Sequence, residues 1–393
     1  MAQGTSKIED ILASPDIDAA INAGRQLGAT IEVHGQNLEI CGVAGRPKTP
    51  SDVIDAGNSG IVLRFVGALA ALTNGYTVLT GDHSVRTLRP VQPLIEGLQG
   101  LGAFACSTRN NERAPIIVRG PLHPGTTHLQ GQDSQPVSAL LLAAPFIEGT
   151  TVIRVQDPGE LPWVRVTLNW LDRLGVPYSV KADGHYEVYG PTHYAGFHYR
   201  VPGDFSSAAF PLAAALLTKS SITISNLNFT DSQGDKKLFD ILSSMGAHFK
   251  YTENSVQVLP SSRLTGRIID INDVIDAGPI LAVIACFAQG ETRLINGAIA
   301  RQKESDRWTS IATELRKMGA NIQELPDGLI IQPSNLTGAV VQSHKDHRLA
   351  MSLAIAGLVA QGKTQVKEAE VISKSYPGFA PMLQSLQAKV RLE

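Results

Sequence analysis

The 393 residues predict an α/β chain in two domains, assembled from six copies of one unit in two groups of three. Three observations carry this. First, a helix-stop signal recurs as Leu27-Gly28-Ala29, Leu101-Gly102-Ala103, Leu174-Gly175-Val176, Met245-Gly246-Ala247 and Met318-Gly319-Ala320. Its glycines lie 74, 73, 71 and 73 residues apart, with Leu386-Gln387-Ala388 as a degenerate sixth mark. Second, uniformly apolar helices are predicted at 60–72, 137–145, 208–217, 280–287 and 349–359, and a helix apolar all round belongs in a core. Third, the chain is longer than one core normally holds. Its repeats change over near 199–203, giving domains 1–199 and 200–393.

Each full copy has an apolar helix, a strand ending in a loop, an amphipathic helix and two strands. Residues 1–40 hold only the tail of the first: a strand at 6–8, a helix at 17–27, and strands at 30–33 and 38–40. Only 27 residues precede Gly28, where the period needs roughly 45 more. A truncated first repeat, without its apolar helix, is therefore expected, and at the other end the last strand pair is incomplete. Copy two begins at Gly57-Asn58-Ser59-Gly60, a turn that lets a ligand approach the amides of a helix start, although helix capping alone also places such residues there. The final Gly-Lys-Ser/Thr of a nucleotide-binding loop is missing. Arg89-Pro90 then opens the second helix of this copy, where a guanidinium can fork a carboxylate.

Copies three and four repeat the layout at Gly131-Gln132-Asp133-Ser134-Gln135 and Gly203-Asp204-Phe205-Ser206-Ser207. In copy five Asp276 precedes the apolar helix as an N-cap, or as a carboxylate with raised pKa suited to taking a proton. Its second helix carries Trp308, Ile311, Ala312, Leu315 and Met318 at helical spacing, with Ser305 as the expected cap and Gly319 as the stop. Lys303, Glu304 and Arg307 crowd its first turn, where the helix end already favours an anion. Copy six offers His344, His347 and Arg348 at its apolar helix, and Lys374 in the loop position held by Lys303 in copy five and Arg89 in copy two. Metal binding is rejected for the two histidines, because Lys345 and Arg348 flank them and no third ligand is near. Helix starts and cations that recur on one end of every unit imply a ligand-facing surface on each domain, the two together forming an anion-binding cleft.

With 34 basic and 36 acidic residues, the composition points to neither nucleic acid nor an anionic membrane. Cys41, Cys106 and Cys286 have no paired spacing, there is no run of eighteen apolar residues, and the N-terminus lacks a leader pattern. A cytoplasmic protein is expected.

Taken in order, Gly57-Asn58-Ser59-Gly60, Leu79-Thr80-Gly81-Asp82 with Arg89-Pro90, Asp133-Ser134-Gln135, Lys303-Glu304-Ser305-Asp306-Arg307, Asp346-His347-Arg348-Leu349-Ala350-Met351 and Lys374-Ser375-Tyr376-Pro377 resemble the signatures of the 5-enolpyruvylshikimate-3-phosphate synthases. The resemblance spans the chain. It implies a two-domain inside-out α/β barrel of six βαβαββ repeats and a monomer closing over phosphoenolpyruvate and shikimate 3-phosphate, with glyphosate competing for the donor site and Gly60 setting sensitivity to it. It further implies that Arg89, Arg307, Arg348 and Lys374 hold phosphoenolpyruvate, with Gly60 and Gln135 beside it. Asn58, Ser134, Gln135 and Lys303 would serve the substrates, Asp276 would take the proton of the acceptor's 5-hydroxyl, and Glu304 would transfer one at the methylene carbon. That chemistry needs an acid, a base and charge neutralisation, with no metal or nucleotide cofactor.

Departures from the family pattern stand beside these matches. The family's first motif, a Lys-Ser pair with a following Arg, falls in the segment expected to be missing. Asp133, Glu160, Trp163 and Ile299 replace the usual Ser, Ser, Tyr and Asn. UDP-N-acetylglucosamine enolpyruvyl transferase, of the same fold, is the alternative, but its usual Cys is absent between Asp82 and Arg89. A non-catalytic relative is the third reading.

Overall fold

The computed structural model describes residues 1–260 and 263–392. The chain divides into two compact units, Met1–Val201 and Pro202–Glu393. The first contains helices α1 (Pro15–Gln26), α2 (Gly60–Ala70), α3 (His83–Thr87), α4 (Gln92–Gly100), α5 (Ser134–Ala143) and α6 (Leu161–Arg173). The second contains α7 (Phe205–Thr218), α8 (Lys237–Ser244), α9 (Gly278–Phe287), α10 (Arg307–Lys317), α11 (His347–Val359) and α12 (Phe379–Ser385).

Among the described residues there are six sheets, one for each expected copy. In copy two, Thr77–Thr80 runs parallel to Ile54–Asp55 and antiparallel to Ile116–Arg119, which in turn pairs with Phe104–Ser107. Copies three and five repeat this pattern around Gly149–Gln156 and Thr292–Ile295. In copy one, Thr5–Glu9 takes its parallel partner from the far end of the same unit, His198–Arg200, with Lys7 opposite His198. The sixth sheet has two strands, Val340–Gln342 and Gln365–Lys367.

The period is built by one backbone event. Gly28, Gly102, Gly175, Gly246 and Gly319 all have φ between +65° and +104°, and Gln387 holds the same left-handed state at +65° in the degenerate sixth mark. A residue there ends the helix by returning amides to its last carbonyls, and glycine does so without steric cost.

The apolar helices are the buried ones. α2 and α5 lie in the first unit's core, and α7, α9 and α11 in the second's. Four of them begin at or before the predicted residue because polar side chains cap them. Ser59 accepts from the Val62 amide, Asp133 from Gln135, Asp204 from Ser206 and Ser207, and Asp346 from Arg348. The polar first turn is helical although it interrupts the apolar run. The cap of α10 differs from the expectation: Asp306 accepts from the Thr309 amide, whereas Ser305, one residue outside, gives its hydroxyl to Asp346.

Trp308 fixes α10 against α9. It is fully buried, and its indole N–H donates to the Gly297 carbonyl at 2.8 Å. A Cβ at Gly278 or Gly297 would come within 2.7 or 2.6 Å of the ring, so both positions need glycine. Trp308→Ala is expected to destabilise the protein by about 3–5 kcal/mol, read from chemical denaturation. A loss below about 1 kcal/mol would mean that the site collapses around the gap.

Candidate active site

In the first unit the helix starts of copies two and three bring a polar group together. Asn58 donates from Nδ2 to Asp82 and Ser84, and its Oδ1 accepts from Arg89 Nη2 at 3.2 Å. Arg89 is buried at the start of the segment leading into α4. Gly60 opens α2, and an added Cβ would meet Arg64 Nη1 at 2.7 Å, Arg89 Nη1 at 2.8 Å and Gln135 Oε1 at 3.1 Å. Asn58, Gly60, Arg89 and Gln135 therefore share one place. Arg64, which the sequence reading omits, belongs with them. It donates to Gln135 Oε1, to the Pro90 carbonyl and, more weakly, to the Gly60 carbonyl, and pairs with Asp133 Oδ2 at 3.1 Å. Asp133 thus turns to a guanidinium and to the Gln135 amide. Glu160 is buried at φ +47° and accepts both the amide and the hydroxyl of Ser134, at 3.1 and 3.2 Å. Ser134, one of the residues expected to serve the substrates, is held by a carboxylate. Trp163 lies in the first turn of α6, and Ile299 is buried in the turn Ala298–Gln302.

In the second unit one arginine is the hub. Arg307, at the start of α10 and 1% exposed, donates from Nε to Asp346 Oδ2 (2.9 Å), from Nη1 to Asp276 Oδ1 (2.7 Å) and from Nη2 to Glu304 Oε2 (2.9 Å). Arg348 pairs with the other oxygen of Asp276 at 3.0 Å, and Lys374 with the other oxygen of Glu304 at 2.7 Å. Lys303 follows the turn Ala298–Gln302, and its charge reaches Asp276. Asp276, Lys303, Glu304, Arg307, Arg348 and Lys374 are therefore gathered at one end of the buried helices.

The electrostatics correct one expectation. Burial pushes the Asp276 carboxyl up, but Arg348, Arg307 and Lys303 outweigh it and hold it well below the usual carboxylate range. Its position beside a buried helix suggested either an N-cap or a raised carboxyl; α9 has no side-chain cap, Ala277 standing at its N-cap, and the cation partners reverse the effect of burial. Asp346 is lowered in the same way: burial raises it, and Arg307 more than offsets this.

His347 goes the other way. Burial, with Lys374 and Arg348 nearby, lowers the imidazole to about 3 against the pull of Glu304 and Asp346, and its Nδ1 has no hydrogen-bond partner. The unfolded chain then binds a proton below about pH 6.5 that the native state refuses, so stability falls as pH falls from about 6.5 towards 3. His347→Asn is expected to remove about 2 kcal/mol of the loss between pH 6.5 and 5, measured as the difference in denaturation midpoints. Parallel pH curves for the two proteins would contradict this.

These groups set the cations Lys303, Arg307, Arg348 and Lys374 against the carboxylates of Asp276, Glu304 and Asp346. The family model of EPSP synthase (3-phosphoshikimate 1-carboxyvinyltransferase) matches residues 1–383. The chain belongs to the EPSP synthase family. It is 43% identical over 392 residues to the 3-phosphoshikimate 1-carboxyvinyltransferase of Ruminiclostridium cellulolyticum, covering 100% of this chain and 92% of that protein. To the enzyme of that name from Chlamydia caviae it is 43% identical over 394 residues, covering 100% and 88%. Among solved structures, EPSP synthase from Acinetobacter baumannii superposes with a TM-score of 0.79 at 26% identity, covering 98% of this chain and 90% of that one. The fold is thus the inside-out α/β fold of EPSP synthase. Among the described residues no helix is long and apolar enough to cross a membrane.

Proposed function

We propose that Arg307, Arg348 and Lys374 hold phosphoenolpyruvate, with Arg89, Gly60 and Gln135 as further donor contacts, and that Asn58, Ser134, Gln135 and Lys303 serve shikimate 3-phosphate. The reaction is that of the EPSP synthases: the enolpyruvyl group moves to the acceptor's 5-hydroxyl and phosphate leaves. The 5-oxygen adds to C2 of the donor as Asp276 takes its proton and Glu304 gives one to C3. Loss of that C3 proton back to Glu304 then expels phosphate and restores the double bond. The reading takes the chain as a monomeric cytoplasmic enzyme.

The observation that carries this reading is the pairing at Arg307, Arg348 and Lys374. Arg307, which is buried, and the half-buried Arg348 and Lys374 are each matched to Glu304 or Asp276, so an acid and a base stand one hydrogen bond from the charges that would hold the donor. An anionic donor competing for these cations would leave both carboxylates more basic than in the free protein. On the acceptor side, Ser134 would exchange Glu160 for the acceptor.

Arg348→Gln tests the assignment. The KM for phosphoenolpyruvate is expected to rise between about tenfold and about a hundredfold, the equivalent of one charge-assisted hydrogen bond, with the KM for shikimate 3-phosphate changed less than threefold. Equal rises in both would move Arg348 out of the donor site.

A further inference from the structure

Asp235 is a buried titratable group that the reaction above does not use. It lies in the turn Gly234–Lys236, in the loop that corresponds in copy four to the Lys303–Arg307 loop of copy five, and is 1% exposed. One carboxyl oxygen accepts the hydroxyl of Ser206 in the first turn of α7, and the other, Oδ1, has no hydrogen-bond partner.

The elements around Asp235 carry a short roster of charges. Asp204 caps α7, and α8 brings Lys237, paired with Asp273, and Asp240. The turn Asn272–Ala277 brings Asp276, and α11 brings Arg348. Lys236, next in sequence, is turned to the carbonyls of Phe229 and Asp231. Burial, then Asp276, push Asp235 up to about 7, Asp204 adds to this, and Arg348 and the Ser206 hydroxyl pull it down. Asp276 and Asp235 thus depend on the same Arg348 charge, but Asp276 alone is also bonded to Arg307.

We propose that Asp235 is a positioning residue for Asp276, taking up a proton from solvent when an anionic donor engages Arg348. The proposal rests on the functional reading above. A donor anion that takes Arg348 as its partner withdraws positive charge from the buried Asp235 and the half-buried Asp276 at once, and two carboxylates that repel each other and share less positive charge do not both stay ionised. The carboxyl without the second arginine is the one that gains the proton. One hydrogen ion leaves the buffer acid, whose bond to it breaks, and forms an O–H bond on the Asp235 carboxylate, while Asp276 remains charged to accept the hydroxyl proton.

Calorimetric titration of the full chain with phosphoenolpyruvate, in buffers of different ionisation enthalpy, reads this uptake directly. The wild type is expected to bind about half a proton more per donor than Asp235→Asn at pH 7, because a group titrating near the working pH is half ionised. The difference between the two proteins cancels protons exchanged by the ligand itself, and is expected to vanish at pH 5. Difference infrared spectra of the wild type are expected to gain a protonated-carboxyl C=O band on adding phosphoenolpyruvate. Equal uptake by the two proteins, or donor binding to the wild type with no such band, overturns the proposal. Absence of any binding, with no phosphate released on adding both substrates, overturns the functional reading and this inference with it.

Discussion

Arg307→Gln is expected to abolish phosphate release, with kcat/KM falling on the order of a thousandfold or more, and to destabilise the protein by about 3–5 kcal/mol. The two effects share one cause. A single buried guanidinium serves Asp346, Asp276 and Glu304, so its removal leaves three carboxylates in a desolvated site without their common partner. Arg307→Lys separates them. An ammonium keeps the charge and recovers much of the stability, but it cannot aim three donors along fixed directions. Activity is therefore expected to stay low in the lysine variant while its denaturation midpoint returns towards that of the wild type. Recovery of both together would mean that Arg307 acts by charge alone.

Gly60→Ala is the second large effect. The new methyl would lie 2.7 Å from Arg64 Nη1 and 2.8 Å from Arg89 Nη1, closer than real contacts allow. Arg64 is anchored by Gln135, Pro90 and Asp133, so the displacement falls mainly on Arg89. The KM for phosphoenolpyruvate and the inhibition constant for glyphosate are both expected to rise, between about tenfold and about a hundredfold, the range for losing one hydrogen bond to a charged group. Steady-state kinetics at varied donor and inhibitor concentrations measure both. Unchanged inhibition would place Gly60 away from the donor.

What was legible in the sequence was whatever the backbone decides locally. The five glycines at the helix ends and the apolar helices follow from sterics and packing within a few residues, and six sheets follow from the period, whereas the cap of α10 was read one residue early, at Ser305 instead of Asp306. What was not legible depends on partners distant in sequence. Asp276 read as an N-cap or as a carboxylate raised by burial, but Arg348 and Arg307, 72 and 31 residues further on, lower it. Arg64 sits in the apolar run of α2, and its role emerges only when Gln135, 71 residues on, meets it. Asp133 stood out only as a replacement of the family's usual Ser, and its partner Arg64 lies 69 residues earlier. The Ser134–Glu160 bond is of the same kind, a pairing 26 residues apart between the two helix starts of copy three that no local pattern signals. Asp235 follows a Gly in a loop, and only its burial beside Ser206 and Asp276 sets it apart from an ordinary surface acid.

The most direct measurement of the central claim is phosphate release by the wild-type chain with phosphoenolpyruvate and each of two acceptors. Stoichiometric phosphate and an enolpyruvyl ether with shikimate 3-phosphate, and none with UDP-N-acetylglucosamine, is the predicted result. Release with the sugar nucleotide instead, or with neither acceptor from a folded protein that binds the donor, would contradict it.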